Sequence, residues 1–371
     1  MAHRDLIVVG TSAGGIETLR QLLRGLPPDL AAPVLIVLHT TARSGTLVPR
    51  ILARASALPA CHPCDRTPIE PGKIYVAPPN LHMLVSGNQL RVLPGPRENL
   101  HRPAIDPLFR SAAVSRGRRV IGVILSGLLD DGTSGLMSVQ AHGGAAIVQD
   151  PETALFSEMP HSALERVPSA QVLPVERIAE ELERLTREEL PAESNSPAQQ
   201  PGETVSGAEK PEQRVPLSNQ PHAYTPAPAS SHPSAPLEAK ETRLLENQVP
   251  QLSDAERPGH PSTFGCPECG GVLWEINDRN FLRFRCRVGH AYTAKNLEVE
   301  QQHTTDVALW SALRSIEESA TLYHRMTEQA IKAGQSALAD RFRARALHTE
   351  ENGKSLRDFL SRIETRSEPP C

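Results

Sequence analysis

The sequence predicts an α/β fold: a doubly wound, mainly parallel sheet with flanking helices, followed by a linker and a small cysteine-bearing module that ends in a helical hairpin. Three observations carry this reading. Short Val- and Ile-rich runs recur through residues 5–185 with amphipathic stretches between them. Thirteen of the 34 prolines then crowd into residues 191–261. Beyond them come paired cysteines and long stretches of helical periodicity.

The runs "LIVVG" (6–10), "PVLIVLH" (33–39), "KIYVAP" (73–78), "VIGVILSG" (120–127) and "GAAIVQD" (144–150) read as strands. Being apolar almost throughout, they suit a parallel sheet covered on both faces. Helical spacing joins Ile16, Leu19, Leu22 and Leu23, then Leu47, Ile51 and Leu52, then Leu108, Phe109, Ala112 and Ala113. "VERIAEELERLTREEL" (175–190) reads as a closing amphipathic helix. Residues 191–261 are rich in Pro, Ser, Gln and Glu and are expected to form a disordered tether, because such a segment buries too little apolar surface to offset its ordering entropy. Residues 301–371 predict the hairpin: Leu309, Leu313, Ile316, Ala320 and Tyr323 on one helix, Leu338, Phe342, Ala346 or Leu347, Leu356 and Phe359 on the other, with a break expected near Gly353.

Composition narrows the function. A net charge of −4 gives no reason to expect nucleic acid as the main partner. The N-terminus lacks a secretory pattern, and no apolar run nears the roughly 20 residues that span a bilayer, so a cytoplasmic protein without membrane insertion is expected.

"LIVVGTSAGG" (6–15) passes from a strand into a glycine turn. A phosphate-cradling loop needs Lys and Ser/Thr after its last glycine, where this chain has Ile16 and Glu17. A dinucleotide site wants an acid at the end of the second strand, where His39 stands. Gly10, Ser12 and Gly14 do match a nucleophile elbow, with helix-start N–H groups to hold an oxyanion, but Ser12 also fits a plain helix cap. His39 ends the second strand, and Asp130 and Asp131 follow "VIGVILSGLL". Three strand ends would thus deliver Ser, His and Asp to one edge of the sheet. The order Ser, His, Asp differs from that of the α/β-hydrolases.

"VVGTSAGGIETL", "VLIVLHTT", "PGKIYVAPPNLHMLV", "HRPAIDPLFRSAA", "VILSGLLDDGTSGL" and "GGAAIVQDPETALFSEMPHSAL" follow one another as in the CheB methylesterase family, which residues 4–185 therefore resemble; the domain is expected to span residues 1–190. The resemblance implies a catalytic triad of Ser12, His39 and Asp131, the acid being the one directly before Gly132. His82 and Arg102 lie in matching motifs without a catalytic step assigned. It implies hydrolysis of glutamate γ-methyl esters on methylated chemoreceptors, with glutamine deamidation as a second activity, in chemosensory signalling, and no cofactor for catalysis. Many relatives have Thr at Ala13 and Met-Gly at Leu128 and Leu129. The receiver domain usual ahead of this domain is not in the sequence, so control by its phosphorylation is not expected here. The alternative function is a non-catalytic chemosensory scaffold or sensor that docks a signalling partner through its C-terminal helices.

Cys266-x-x-Cys269 and Cys286-x-x-x-His290, sixteen residues apart, predict a closed structural zinc site in residues 262–300, with "VLWEI" and "FLRFRC" as its hairpin. The string "CPECGG–LWE–FRCRVGHAY" also resembles an appendage of some receiver-less CheB-like proteins. Cys61-His-Pro-Cys64 is a lone pair without partner ligands and reads as non-functional.

Overall fold

The computed structural model describes residues 2–40, 47–190, 237–246 and 259–367. Elements of the first half are β1 (Leu6–Thr11), α1 (Gly15–Arg24), β2 (Val34–Leu38), α2 (Val48–Ala53), β3 (Ile74–Val76), β4 (His82–Ser86), β5 (Gln89–Leu93) and α3 (Ile105–Arg116). They continue with β6 (Val120–Ile124), α4 (Thr133–Ala141), β7 (Ala145–Gln149), α5 (Glu158–Arg166), β8 (Gln171–Leu173) and α6 (Val175–Arg187). The main sheet runs β8-β7-β6-β1-β2-β3, with Ala60–Cys61 as a short seventh strand, and every pairing in it is parallel.

Residues alternate between two cores. Ile7, Val9 and Ile36 face Leu19 and Leu22 of α1 and Ile178 and Leu182 of α6. Leu6, Val8 and Val37 face Phe109 of α3, Leu136 of α4 and Ala163 of α5. The strand period of two thus sends alternate residues into opposite layers, and both layers are apolar. α4 carried no helical signature because its residues from Thr133 to Val139 are all buried, which leaves no polar face to mark the period. The hairpin β4–β5 was not placed by periodicity either; it forms a separate three-stranded sheet with Thr67–Pro68.

The second half holds α7 (Leu237–Glu246), β9 (His260–Gly265), β10 (Val272–Asp278), β11 (Phe281–Cys286), β12 (Ala291–Thr293), α8 (Ala294–Lys332) and α9 (Ser336–Ser367). β9 to β12 make an antiparallel four-stranded sheet, whose β10–β11 hairpin matches the expected one. Three expectations need correction. α7 is a helix within the segment expected to be a tether, because its Glu241 and Leu245 are buried against the rest of the protein. The remainder of that segment up to residue 258 lies outside the described residues. α8 starts at Ala294, capped by the Thr293 side chain, not near 301. α9 runs unbroken through Gly353, whose missing side chain lets it approach Ile316 of α8.

Candidate active site

In a parallel sheet the carboxyl ends of neighbouring strands share one edge, and this brings the three residues together. Ser12 directly follows β1, His39 directly follows β2, and Asp131 lies in the turn after β6. Ser12 Oγ is 3.1 Å from His39 Nδ1, and His39 Nε2 is 2.9 Å from Asp131 Oδ2. Ser12 remains partly exposed, whereas Asp131 is buried.

The turn that presents Ser12 is pinned from several sides. Ser12 N donates to Ser126 O, Thr11 Oγ1 donates to the same carbonyl, and Ser126 Oγ donates to Ala13 O. Gly14 adopts φ 75°, a left-handed conformation that glycine enters without a Cβ clash. Gly15 N donates to Ser12 O, and among the described residues the amides of Ala13 and Gly14 have no acceptor.

Asp131 accepts four hydrogen bonds. His39 Nε2 and Ile105 N reach Oδ2, and Asn99 Nδ2 and Asp106 N reach Oδ1. Burial works to raise its pKa, but the His39 hydrogen bond, the nearby His39 and His101 charges and the Ile105 amide outweigh it and hold the carboxyl at about 2. An ionised Asp131 accepting from Nε2 fixes the imidazole tautomer and leaves the Nδ1 lone pair toward the Ser12 hydroxyl. That arrangement suits proton abstraction from Ser12. The ring's nitrogens are exchanged relative to the Nε2-to-serine template, yet either one can serve as the base.

His101 stacks on His39 with ring centroids 3.5 Å apart. Burial first, and then the His39 charge, push the His101 pKa down to about 3, so a neutral ring faces His39 at neutral pH. His39 and His101 line a cleft of about 250 Å3 together with Asn80, Arg97 and Arg102. Burial, reinforced by Asp131, raises the Asp106 carboxyl to about 7. Asp130 rises to about 6 through burial, with Asp131 adding to it and the Thr293 hydrogen bond opposing.

The remaining sequence candidates fall elsewhere. His82 is fully buried, its Nε2 donating to Pro96 O and its Nδ1 accepting from Ala104 N, which makes it a pin between segments. Arg102 donates to Gly95 O at the wall of the cleft. Cys61 and Cys64 are exposed, and among the described residues no third ligand joins them. Leu128 is exposed, while Leu129 adopts φ 64°, with its amide donating to Glu158. A left-handed backbone favours glycine, so Leu129 carries strain that a glycine at this position would avoid.

Cys266, Cys269, Cys286 and His290 do converge, with all four donor atoms within 4.8 Å of one another. Cys269 Sγ to Cys286 Sγ is 3.6 Å, Cys266 Sγ to His290 Nδ1 is 3.6 Å, and Cys286 Sγ to His290 Nδ1 is 3.5 Å. A tetrahedral ion with metal–sulfur bonds of about 2.3 Å and metal–nitrogen bonds of about 2.0 Å requires edges of roughly 3.5–3.8 Å. Glu268 lies 3.2 Å from His290 Nε2 and would orient the ring as an outer partner. The donor set therefore fits a closed four-coordinate metal.

Asn99 and His101 went unnoticed in the sequence. Asn99 has no motif of its own, and His101 stood in a matched motif whose emphasis fell on Arg102. Their contacts depend on how the loop before α3 folds back over the strand ends.

A doubly wound sheet that gathers a serine, a histidine and an aspartate at its carboxyl edge defines a class, that of hydrolytic enzymes with a catalytic edge on an α/β sheet. Within that class, the family model described as CheB methylesterase matches residues 7–182. A Leptospira interrogans protein with the provisional name of protein-glutamate methylesterase/protein-glutamine glutaminase is 40% identical over 187 residues, which is 50% of this chain and 97% of that protein. An Anaeromyxobacter dehalogenans protein-glutamate methylesterase/protein-glutamine glutaminase is 35% identical over 186 residues, 50% of this chain and 54% of that one. The crystal structure of the Thermotoga maritima CheB methylesterase catalytic domain is 30% identical, covering 50% of this chain and all of that one, with a TM-score of 0.48. This chain belongs to the CheB methylesterase family. None of its described helices is long and apolar enough to cross a membrane.

Proposed function

We propose that this protein is a cytoplasmic serine hydrolase that cleaves glutamate γ-methyl esters on methylated chemoreceptors, with glutamine deamidation as a second activity. The observation that carries the proposal is the unbroken line Ser12 Oγ, His39 Nδ1, His39 Nε2, Asp131 Oδ2 at hydrogen-bond distances. Ser12 Oγ attacks the ester carbonyl while His39 Nδ1 takes its proton. The amides of Ala13 and Gly14 stabilise the oxyanion. His39 returns the proton to departing methanol, and water then cleaves the glutamyl-serine ester by the same route. Asp131 holds the tautomer and stabilises the imidazolium. Residues 1–190 form the esterase domain in this reading. Residues 262–300 form a structural zinc module at Cys266, Cys269, Cys286 and His290, and the helices beyond offer a surface for a signalling partner.

Covalent labelling by a serine-directed fluorophosphonate tests the assignment. The full chain should be labelled at Ser12 and Ser12→Ala should not; equal labelling of both would refute it. An inert scaffold would also stay unlabelled, so the same assay excludes that reading.

A further inference from the structure

The loop at residues 97–101 joins the module that carries the Cys/His cluster to the triad. Glu98 pairs with Arg285 of β11 at 2.8 Å. Asn99 N donates to Ala291 O, and Ala291 N donates to Arg97 O. Leu100 packs on the core formed by Cys266, Leu273, Phe284, Cys286, Tyr292 and Leu297. His101 stacks on His39. Asn99 and Leu100 both hold left-handed backbones, at φ 50° and 70°, a pairing that non-glycine residues keep only under external restraint.

Asn99 sits at the junction and is buried. Thr293 N of β12 donates to its Oδ1 at 3.1 Å. That bond fixes which way the amide faces. Its Nδ2 must then point at the carboxylates, donating to Asp131 Oδ1 and Asp106 Oδ2, each at 2.9 Å. If Thr293 N were withdrawn, the Asn99 amide would lose the contact that seats it, and its bond to Asp131 Oδ1 would loosen. β12 begins one residue after His290, and Tyr292 OH touches Cys266 Sγ at 3.6 Å. A metal at the four-donor cluster would order a sheet this small.

We propose that Asn99 is a positioning residue through which the metal-bearing module aligns Asp131 with His39, so that metal occupancy governs the reactivity of Ser12. The proposal rests on the serine-hydrolase reading above. In it the C-terminal module supports the esterase site.

The test follows saturable fluorophosphonate labelling of the full chain, reading the maximal rate separately from the half-saturating concentration. Zinc-loaded, chelator-stripped and zinc-restored protein are compared, for the wild type and for Asn99→Ala. Stripping the wild type should lower the maximal rate about tenfold with little change in half-saturation, as expected for losing one charge-assisted bond to the orienting acid, and added zinc should restore it. Loaded Asn99→Ala should show a loss of the same order, and stripping it should cost less than stripping costs the wild type, because the Asn99 link is already broken. Hydrogen exchange in residues 97–104 should rise in the stripped wild type. If stripping unfolds the chain, loaded Asn99→Ala decides alone. Wild-type rates in Asn99→Ala, or in stripped protein, overturn the proposal while leaving Ser12 as the nucleophile. A wild type that is never labelled overturns the hydrolase reading and this proposal together.

Discussion

At the scale of single residues, the site is an exercise in holding charge. Asp131 is buried and ionised because four donors surround it, and that fixed carboxylate sets the imidazole tautomer. Asp131→Asn, which presents the wrong hydrogen-bonding partner to Nε2, should lower turnover on the order of 10⁴-fold while leaving the fold intact by circular dichroism. The neighbouring acids behave in the opposite way. With folded pKa values raised to about 7 at Asp106 and about 6 at Asp130, both favour the protonated state in the folded chain. Their stabilising contribution is complete below the ordinary carboxylate pKa of about 3.9 and is lost as pH rises through 6 and 7, whereas that of Asp131 is lost only as pH falls toward 2. Denaturant midpoints should therefore fall between about pH 4 and about pH 7, and Asp130→Asn should flatten that fall; an unchanged slope would contradict it. Ser12, His39 and the Asp130–Asp131 pair were legible because each follows a recognisable strand, and the family resemblance picked Asp131 from the pair. Asn99 and His101 were not, because what places them is a loop pressed between two modules.

At the scale of elements, α7 shows why composition misled. Its sequence "LEAKETRLLE" is polar and lies beyond a proline-rich run, so nothing local marks it as ordered. Tertiary charge supplies the reason. Glu241 meets Arg283 at 3.0 Å, Arg285 at 3.1 Å and Arg110 at 3.5 Å, and Glu98 binds Arg110 and Arg285 from the other side. Burial alone would raise the Glu241 carboxyl, yet these guanidiniums hold it well below the usual carboxylate range. A buried ionic junction of this kind adds little net stability over an apolar one, but removing one partner strands the others. Glu241→Ala should destabilise the protein by about 3–5 kcal/mol in denaturant melts and expose residues 237–246 to protease. A variant as stable and as resistant as the wild type would show that α7 is not held by this junction. The expected break at Gly353 failed for a related reason. Glycine is a poor helix residue in isolation, but here its lack of a side chain allows close approach to Ile316 of α8.

At the scale of the whole molecule, the sheet edge that carries the candidate triad and a module that fits a metal meet at the loop of residues 97–101 and at the Asp130 turn, where Thr293 Oγ1 and Asn296 Nδ2 donate to Asp130 Oδ1. The parallel sheet, though not its strand order, was readable from alternating apolar runs, and the Cys/His cluster from cysteine spacing, since both are local patterns. Their contact was not, because Asn99 and Thr293 are 194 positions apart and neither advertises the other. The proposed module predicts one zinc per chain by metal analysis, with Cys269→Ser weakening its retention; a metal-free full-length protein with a folded C-terminal sheet would contradict it. The Leptospira relative is matched over 97% of its length by half of this chain, so the metal-fitted half is an addition to the matched domain. The claim on which everything else depends is hydrolysis at Ser12. Methanol release from a methyl-esterified chemoreceptor cytoplasmic domain measures it directly. The full chain should release methanol, and Ser12→Ala should lose the activity by a factor on the order of 10⁶; release by Ser12→Ala at the wild-type rate would contradict the assignment.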